Sequence, residues 1–161
     1  MTTYETLFTK ENAIDLVSQY DFIIDGTDNF SAKFLINDAC VIAKKPFSHG
    51  GILRFDGQTM TYVPGSASYR CVFKEPPPKN VVPTCSQAGI LGAVAGMLGT
   101  IQAAEAVRYL VGVGELLTNR LLIFNAMNMT FRTVKVKPSD QQITELTEYE
   151  QPVCDLKARD S

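Results

Sequence analysis

The sequence predicts a single α/β domain built on a mixed sheet, and three local patterns support this. An apolar strand core at residues 22–24 ends in a polar turn and is followed by apolar residues at helical spacing. Asp56 and Gly57 separate two alternating runs, which predicts an antiparallel hairpin. A long glycine-striped helix then precedes a second predicted hairpin, in which residues 121–125 face residues 131–136.

The turn after the first strand offers four polar side chains, those of Asp25, Thr27, Asp28 and Asn29. In an open α/β sheet such a strand-to-helix junction faces a ligand crevice. A carboxylate here repels a bare phosphate although a helix N-terminus attracts anions, and a divalent cation or a ribose hydroxyl would remove that conflict. The alternative is that Asp28 or Asn29 only caps the helix of roughly residues 31–43. This run alone leaves both interpretations open.

The composition is that of a globular protein, with 161 residues of which 45% are hydrophobic and 20% charged. A formal net charge of −2 provides no electrostatic footprint for nucleic acid or an anionic membrane, and therefore argues against both as partners. The first residues lack the basic and apolar regions of a signal peptide, so a cytoplasmic location is predicted. The four cysteines are irregularly spaced, and we expect them to be reduced thiols.

The sequence lacks a glycine-rich phosphate loop, because no glycine at all precedes Gly26. If the fold binds a nucleotide, the half that normally holds the phosphates is missing from these residues. A fragment of a nicotinamide-dependent oxidoreductase would need a dinucleotide fingerprint, and the sequence has none.

Two further residues are candidates for chemistry, each with a structural alternative. His49 is the only histidine, and we interpret it as a hydrogen-bonded structural residue rather than a base or a metal ligand. Cys85 follows a proline-rich stretch, residues 64–84, that is predicted to be a loop without regular structure. Thr84 begins a capping-box pattern that would place Cys85 in the first turn of a helix running to about Val111. The helix dipole would favour a thiolate there, and a small apolar residue buried beneath the loop is the equal alternative.

The predicted long helix carries four glycines on one face, Gly89, Gly92, Gly96 and Gly99. Such a face lets another backbone approach closely, so we expect a buried helix at the centre of a sheet or at a dimer interface. The uncharged stretch of residues 88–101 is too short for a membrane span. Residues 138–161 are polar and predicted to form a loose tail.

With these residues in view, the chain resembles the C-terminal part of the ThiF/MoeB/HesA family, the bacterial relatives of ubiquitin-activating enzymes. The similar features occur in the family's order over roughly residues 21–137. They are Asp25-Gly-Thr-Asp-Asn29 with Lys33 and Asn37, the Gly50-Gly51 segment with its Asp56-Gly57 hairpin, Tyr69-Arg-Cys71, Pro83-Thr-Cys85, and the stretch from Gly89 to Glu105. The resemblance implies the C-terminal part of a Rossmann-like ThiF/MoeB fold.

The resemblance also implies an activity, the adenylation by ATP and magnesium of the C-terminal Gly-Gly of a ubiquitin-like sulfur carrier, of the thiamine or molybdopterin type. Asp28 matches the aspartate that holds magnesium and positions the nucleotide, as adenylation requires. Cys85 matches the cysteine that links covalently to the carrier in thiamine-pathway members, and residues 64–84 match the crossover loop above the carrier's tail. The nucleotide-contact stretch around Asp28 comprises Thr27, Asn29, Phe30 and Lys33.

The sequence departs from the family at its structural zinc site, which usually has two C-x-x-C pairs. The first pair reads Ser68-Tyr-Arg-Cys71, and only residues 137–142 remain where the second pair is expected. Cys154 lies beyond that segment. Because a closed zinc site needs four ligands and Cys71 is the one surviving candidate, we expect zinc to be absent.

Together these observations predict a partial adenylating domain over residues 1–137, followed by the tail at 138–161. The domain would be the carrier-binding half, inactive alone, with Asp28 and Cys85 carrying its chemistry. Its expected partners are a ubiquitin-like sulfur carrier and either a second copy of the chain or an N-terminal half that supplies the phosphate loop. The alternative is a non-catalytic module that binds such a carrier or a full-length relative.

Overall fold

The computed structural model describes residues 1–78, 89–139, 143–147 and 149, and within them five strands form one mixed sheet. In the order in which they lie across the sheet, the strands are β1 Ile23–Asp25, β2 Phe47–Leu53, β3 Asp56–Tyr62, β4 Arg120–Asn125 and β5 Thr130–Lys135. Strand β1 pairs parallel with β2, and the other neighbouring pairs are antiparallel. The predicted α/β class, the mixed sheet and both hairpins are confirmed.

The helices of the described residues pack on both faces of this sheet. They are α1 Ala13–Ser18, α2 Phe30–Ile42, α3 Tyr69–Val72 and α4 Gly92–Val111. On one face, Phe47 of β2 belongs to a core cluster with residues of α1, α2 and α3. Gly50, three positions along β2, lies against Gln102 of α4. Since side chains alternate along a strand, α4 covers the face opposite to α1, α2 and α3.

The first hairpin turns at Arg54 and Phe55, and not at Asp56 and Gly57 as the sequence predicted. Leu53 and Asp56 are already paired as strand residues, which leaves a loop of two residues. Arg54 has a φ of 56°, the left-handed conformation that two-residue hairpin loops favour. The Asp-Gly dipeptide therefore marks the hairpin but not its turn.

Gly57 is required by side-chain packing. A Cβ atom at this position would lie 2.2 Å from Cζ of Phe124, a buried ring that stacks on Phe131. We expect Gly57→Ala to lower the free energy of unfolding by roughly 1–3 kcal/mol, measured by urea denaturation. The control is Gly99→Ala in α4, where a Cβ would meet no described residue within 4 Å. This change should raise the free energy of unfolding by up to about 1 kcal/mol. A Gly57→Ala protein as stable as the wild type would contradict the packing argument.

Helix α4 begins later than the sequence predicted. Its N-cap is Leu91, and Gly89 just before it has a φ of 74°, which an α-helix cannot include. The prediction of one helix continuing from Thr84 is therefore wrong. Cys85 lies outside the described residues, and α4 begins seven residues after it, so the first turn of α4 does not include it.

Only one face of α4 is buried. The residues that face the sheet are Val94, Leu98, Gln102 and Glu105. On the opposite side, a Cβ atom at Gly92, Gly96 or Gly99 would meet no described residue within 4 Å, and Val107 and Leu110 are more than half exposed. The prediction of a buried helix is therefore correct for the side that faces the sheet, whereas no described residue covers the side that carries the glycines. No helix within the described ranges has the length and apolar character needed to cross a membrane.

The stretch predicted to be a loop without regular structure, residues 64–84, contains helix α3 in its described part. The backbone N–H of Ser68, the N-cap, donates to the sulfur of Cys71 at 3.3 Å. The N–H of Tyr69 donates to the side-chain oxygen of Asn37 at 2.9 Å, which attaches α3 to α2. Cys71, the predicted residual zinc ligand, thus completes a helix cap. Across the described ranges, no group of three or more His, Cys, Asp or Glu residues could hold a metal ion.

The described part of the predicted tail is docked on α2. Leu146 and Tyr149 pack against the core cluster beneath α2. The hydroxyl of Ser31 donates to the carbonyl of Tyr149 at 2.6 Å, and the N–H of Thr147 donates to the carboxylate of Asp38 at 3.3 Å. The prediction of a loose tail is therefore wrong for these residues, because contacts distant in sequence hold them.

Candidate functional site

The polar turn, residues 26–29, joins β1 to α2, and two side chains set its shape. The carboxylate oxygen Oδ1 of Asp25 accepts hydrogen bonds from the backbone N–H of Thr27 at 2.9 Å and from its hydroxyl at 2.6 Å. The side-chain oxygen of Asn29 accepts from the N–H of Ala32 at 2.8 Å, which makes Asn29 the N-cap of α2. The turn is therefore held at both of its ends.

Asp28 lies in the turn, one residue before the N-cap, and is exposed. The capping role that the sequence left open between Asp28 and Asn29 belongs to Asn29. At the other end of the turn, no described residue comes within 4 Å of a Cβ placed on Gly26, so this side of the turn is open among the described residues. The exposed carboxylate of Asp28 offers oxygen ligands of the kind that magnesium prefers.

Three ionisable side chains meet inside the protein next to this turn: Asp25, Lys33 and His49 are 1%, 7% and 1% exposed. The second carboxylate oxygen of Asp25, Oδ2, accepts from Nζ of Lys33 at 3.1 Å and lies 3.1 Å from Nδ1 of His49. Nζ of Lys33 also donates to the carbonyl of Gly50. The prediction that the Asp25 side chain faces the crevice is wrong, because that side chain is buried. The interpretation of His49 as a hydrogen-bonded structural residue is confirmed.

The charges in this buried cluster follow from its contacts. Burial alone would raise the pKa of Asp25, but the hydrogen bond from His49, the charge of Lys33 and the hydrogen bond from Thr27 lower it to about 2. Burial lowers the pKa of His49 below 6.5, against the opposing effect of Asp25. At neutral pH the cluster therefore contains one anion, Asp25, one cation, Lys33, and a neutral imidazole.

The structure divides the predicted site residues into three groups. Those at the surface of the turn, exposed or half-buried, are Thr27, Asp28, Asn29 and Phe30. Lys33 is buried, and its ammonium group is held by Asp25 and Gly50. Cys85 lies outside the described residues.

The sequence analysis did not predict the buried cluster of Asp25, Lys33 and His49, nor the hydrogen bonds that Gln102 makes beside it. The side-chain amide of Gln102 in α4 donates to the carbonyls of Asp25 and Ser48, both at 3.0 Å, and so ties β1 and β2 to the helix. The sequence contains one usable signal, a lysine among the apolar positions of α2 at a short distance from the acidic residue that ends β1. Gln102 had no comparable local signal, because its partners lie more than fifty residues away.

Comparison with known proteins assigns the chain to a family of known fold. The chain belongs to the ThiF family, whose sequence pattern matches residues 1–146. This agrees with the resemblance inferred from the motifs.

Relatives within this family are similar over nearly the whole chain. “Probable adenylyltransferase/sulfurtransferase MoeZ” of Mycobacterium tuberculosis is 40% identical over 165 residues, which cover 98% of this chain and 42% of MoeZ. “Adenylyltransferase and sulfurtransferase MOCS3” of Aedes aegypti is 37% identical over 170 residues, which cover 99% of this chain and 39% of the relative. The chain thus spans about two fifths of the length of these relatives.

The fold is also found among solved structures. Escherichia coli MccB superimposes with a TM-score of 0.64 at 16% identity, over 82% of this chain and 41% of MccB. MccB with ATP superimposes with a TM-score of 0.58, over 74% of this chain and 37% of that chain. At this identity the likeness shows the fold alone.

Proposed function

We propose that these residues form the carrier-binding half of an adenylating domain. With ATP and magnesium, the domain would activate the C-terminal Gly-Gly of a ubiquitin-like sulfur carrier, of the thiamine or molybdopterin type. The observation that carries the proposal is the exposed Asp28 on a turn held by Asp25 and Asn29 at the end of a parallel strand. Membership of the ThiF family, and the adenylyltransferase and sulfurtransferase in the names of MoeZ and MOCS3, support it.

The proposed reaction joins the carrier to AMP. A carboxylate oxygen of the terminal glycine attacks the α-phosphorus of ATP, pyrophosphate leaves, and a carrier acyl-adenylate forms. Both reactants are anions, so a magnesium ion would supply the charge that lets them approach, and Asp28 would hold it. Thr27, Asn29 and Phe30 are the proposed nucleotide contacts. Lys33 supports the turn from inside, because its ammonium group is already held by Asp25 and Gly50.

The triphosphate also needs cationic donors. The basic residue nearest to Asp28 in sequence, Lys33, is unavailable for this purpose, and the sequence has no glycine-rich loop before Gly26. We therefore propose that the donors come from a phosphate-binding segment outside residues 1–161, whether in the same polypeptide or in a partner.

The sheet offers a place for such a segment beside β1. Within the described residues, β1 pairs only with β2, and Ile24 of β1 is 48% exposed. Helix α4 contacts β1, and among the described residues nothing packs on its glycine-bearing face. A parallel strand followed by a helix would pair with the backbone of β1 and cover α4, as in a β-α-β unit. A second copy of the chain is the alternative occupant.

Cys85 is proposed as a second reactive residue, through a covalent link to the carrier. The support is its match to the cysteine of thiamine-pathway members of the family. Cys85 itself lies outside the described residues.

The test is ATP–pyrophosphate exchange by a complemented enzyme. The segment of Mycobacterium tuberculosis MoeZ that precedes its matched region would be added in trans, together with a ubiquitin-like carrier ending in Gly-Gly. The control is the same carrier without its terminal glycine. We expect no exchange with the chain alone, and exchange dependent on the intact carrier once the segment is present.

Each outcome of this experiment has a defined meaning. Exchange by the chain alone at the rate of an intact enzyme would show that no outside segment is needed. Carrier binding without exchange, even with the segment bound, would favour the non-catalytic binding module. Failure to bind the carrier would reject both.

A further inference from the structure

The two oxygens of the Asp25 carboxylate have separate tasks. Oδ1 accepts both hydrogen bonds from Thr27 and so holds the turn that carries Asp28. Oδ2 accepts from Nζ of Lys33 and faces Nδ1 of His49, both at 3.1 Å. A carboxylate is a rigid plane, so whatever fixes Oδ2 also fixes the direction of Oδ1. The geometry of the exposed turn therefore depends on groups that never reach the surface.

The imidazole of His49 directs one nitrogen, Nδ1, at Asp25 and leaves the other nitrogen without a hydrogen bond among the described residues. Nε2 is buried and has no hydrogen-bond partner among the described residues. The ring lies 4.4 Å from the ring of Tyr69, centroid to centroid, and 6.4 Å from that of Phe73, which hold its plane. A buried polar atom without a partner is unfavourable, so a histidine is a poor choice for filling this space alone. What it contributes is the Nδ1–H donor.

The tautomer follows from the charges around the ring. Asp25 is an anion and can only accept, so Nδ1 carries the proton and Nε2 carries the lone pair. A second proton on the ring would place two buried cations, His49 and Lys33, against one carboxylate. The ring is therefore neutral, with its proton on Nδ1.

We infer that His49 is a positioning residue for the Asp28 turn: its Nδ1–H, together with Nζ of Lys33, fixes the Asp25 carboxylate, which in turn holds Thr27. The consequence for catalysis rests on the proposed function, in which Asp28 holds magnesium. The effect on the turn itself does not rest on it. His49 acts only through Asp25, since its ring is 1% exposed and cannot touch a substrate.

The first measurement uses the fact that His49 is the only histidine in the chain. Long-range ¹H–¹⁵N NMR of the ¹⁵N-labelled wild-type chain reports which ring nitrogen carries the proton. We expect the Nδ1–H tautomer at pH 7, and a Thr27 amide proton shifted downfield by its charge-assisted hydrogen bond. An Nε2–H tautomer would overturn the inference without any substitution.

The second measurement compares two variants that lose the ring equally. In His49→Asn the amide nitrogen is two bonds from Cβ, where Nδ1 is, whereas in His49→Gln it is three bonds away, where Nε2 is. In His49→Asn we expect the Thr27 amide proton to keep its downfield shift and its protection from hydrogen exchange. In His49→Gln we expect the protection factor of that amide to fall about tenfold. The amides of β3 and β4 should be unchanged in both. Equal Thr27 protection in the two variants would mean that His49 only fills space.

Exchange by the complemented enzyme then separates this inference from the proposed function. His49→Gln should lower kcat about ten- to a hundredfold with the KM for the carrier unchanged, and His49→Asn should restore most of it. If the wild-type pair shows no exchange, the proposed function fails while the NMR result on the turn stands. If exchange occurs and the two variants have equal kcat, the catalytic part of the inference is wrong.

Discussion

Asp28→Asn is expected to lower carrier-dependent pyrophosphate exchange by the complemented enzyme about 10²- to 10³-fold. The amide has nearly the same shape as the carboxylate but lacks the negative charge that would hold magnesium between the two anionic reactants. Asn29 and Asp25 keep the turn in place, so the change should not unfold α2. The measurement is the rate of exchange at saturating ATP, with the free energy of unfolding recorded for both proteins.

The matched control is Asp15→Asn, the same chemical change at an exposed position in helix α1, away from the turn. It should leave exchange within about twofold of the wild type, since surface substitutions away from special features are nearly neutral. If Asp28→Asn and Asp15→Asn had the same exchange rate, Asp28 would not be the residue that holds magnesium, and the nucleotide site would not include it.

The parts of the fold that could be predicted are those in which burial repeats at short range. The apolar run of β1 and the helical spacing of apolar residues in α2 both result from burial against the core, so the strand, the turn and the helix can be predicted from the spacing of the apolar residues. The second hairpin is predicted for the same reason, because alternation along β4 and β5 reflects the pleat of the sheet. The exposed position of Asp28 follows from its place in the turn.

The parts that could not be predicted depend on partners distant in sequence. Asp25 looks like a surface carboxylate until His49 and Lys33 are placed around it. Gly57 looks like a turn residue until the ring of Phe124 is placed against it. The tail looked loose because its anchors on α2 lie more than one hundred residues earlier in the chain. In each case local propensity was overridden by a tertiary contact.

Arg70→Met is expected to lower the free energy of unfolding by roughly 3–5 kcal/mol. The guanidinium of Arg70 makes two hydrogen bonds to the carboxylate of Asp38, at 2.6 and 2.8 Å, and Asp38 is fully buried. It also lies 4.8 Å from the centre of the Phe34 ring and donates to the hydroxyl of Tyr149 at 3.3 Å. Removing it leaves a buried carboxylate whose remaining donors among the described residues, the side chain of Asn37 and the backbone of Thr147, are neutral.

The double variant Arg70→Met with Asp38→Asn shows whether the buried charge is the cause. It should be more stable than Arg70→Met alone, because no unpaired carboxylate remains. Urea denaturation of the wild type, the two single variants and the double variant gives the coupling energy between Arg70 and Asp38. Limited proteolysis should cut the tail before the core in Arg70→Met, since Arg70 and Asp38 together hold Thr147 and Tyr149 against α2. A loss below about 1 kcal/mol in Arg70→Met, typical of a surface ion pair, would show that the tail is held by the apolar contacts of Leu146 and Tyr149 instead.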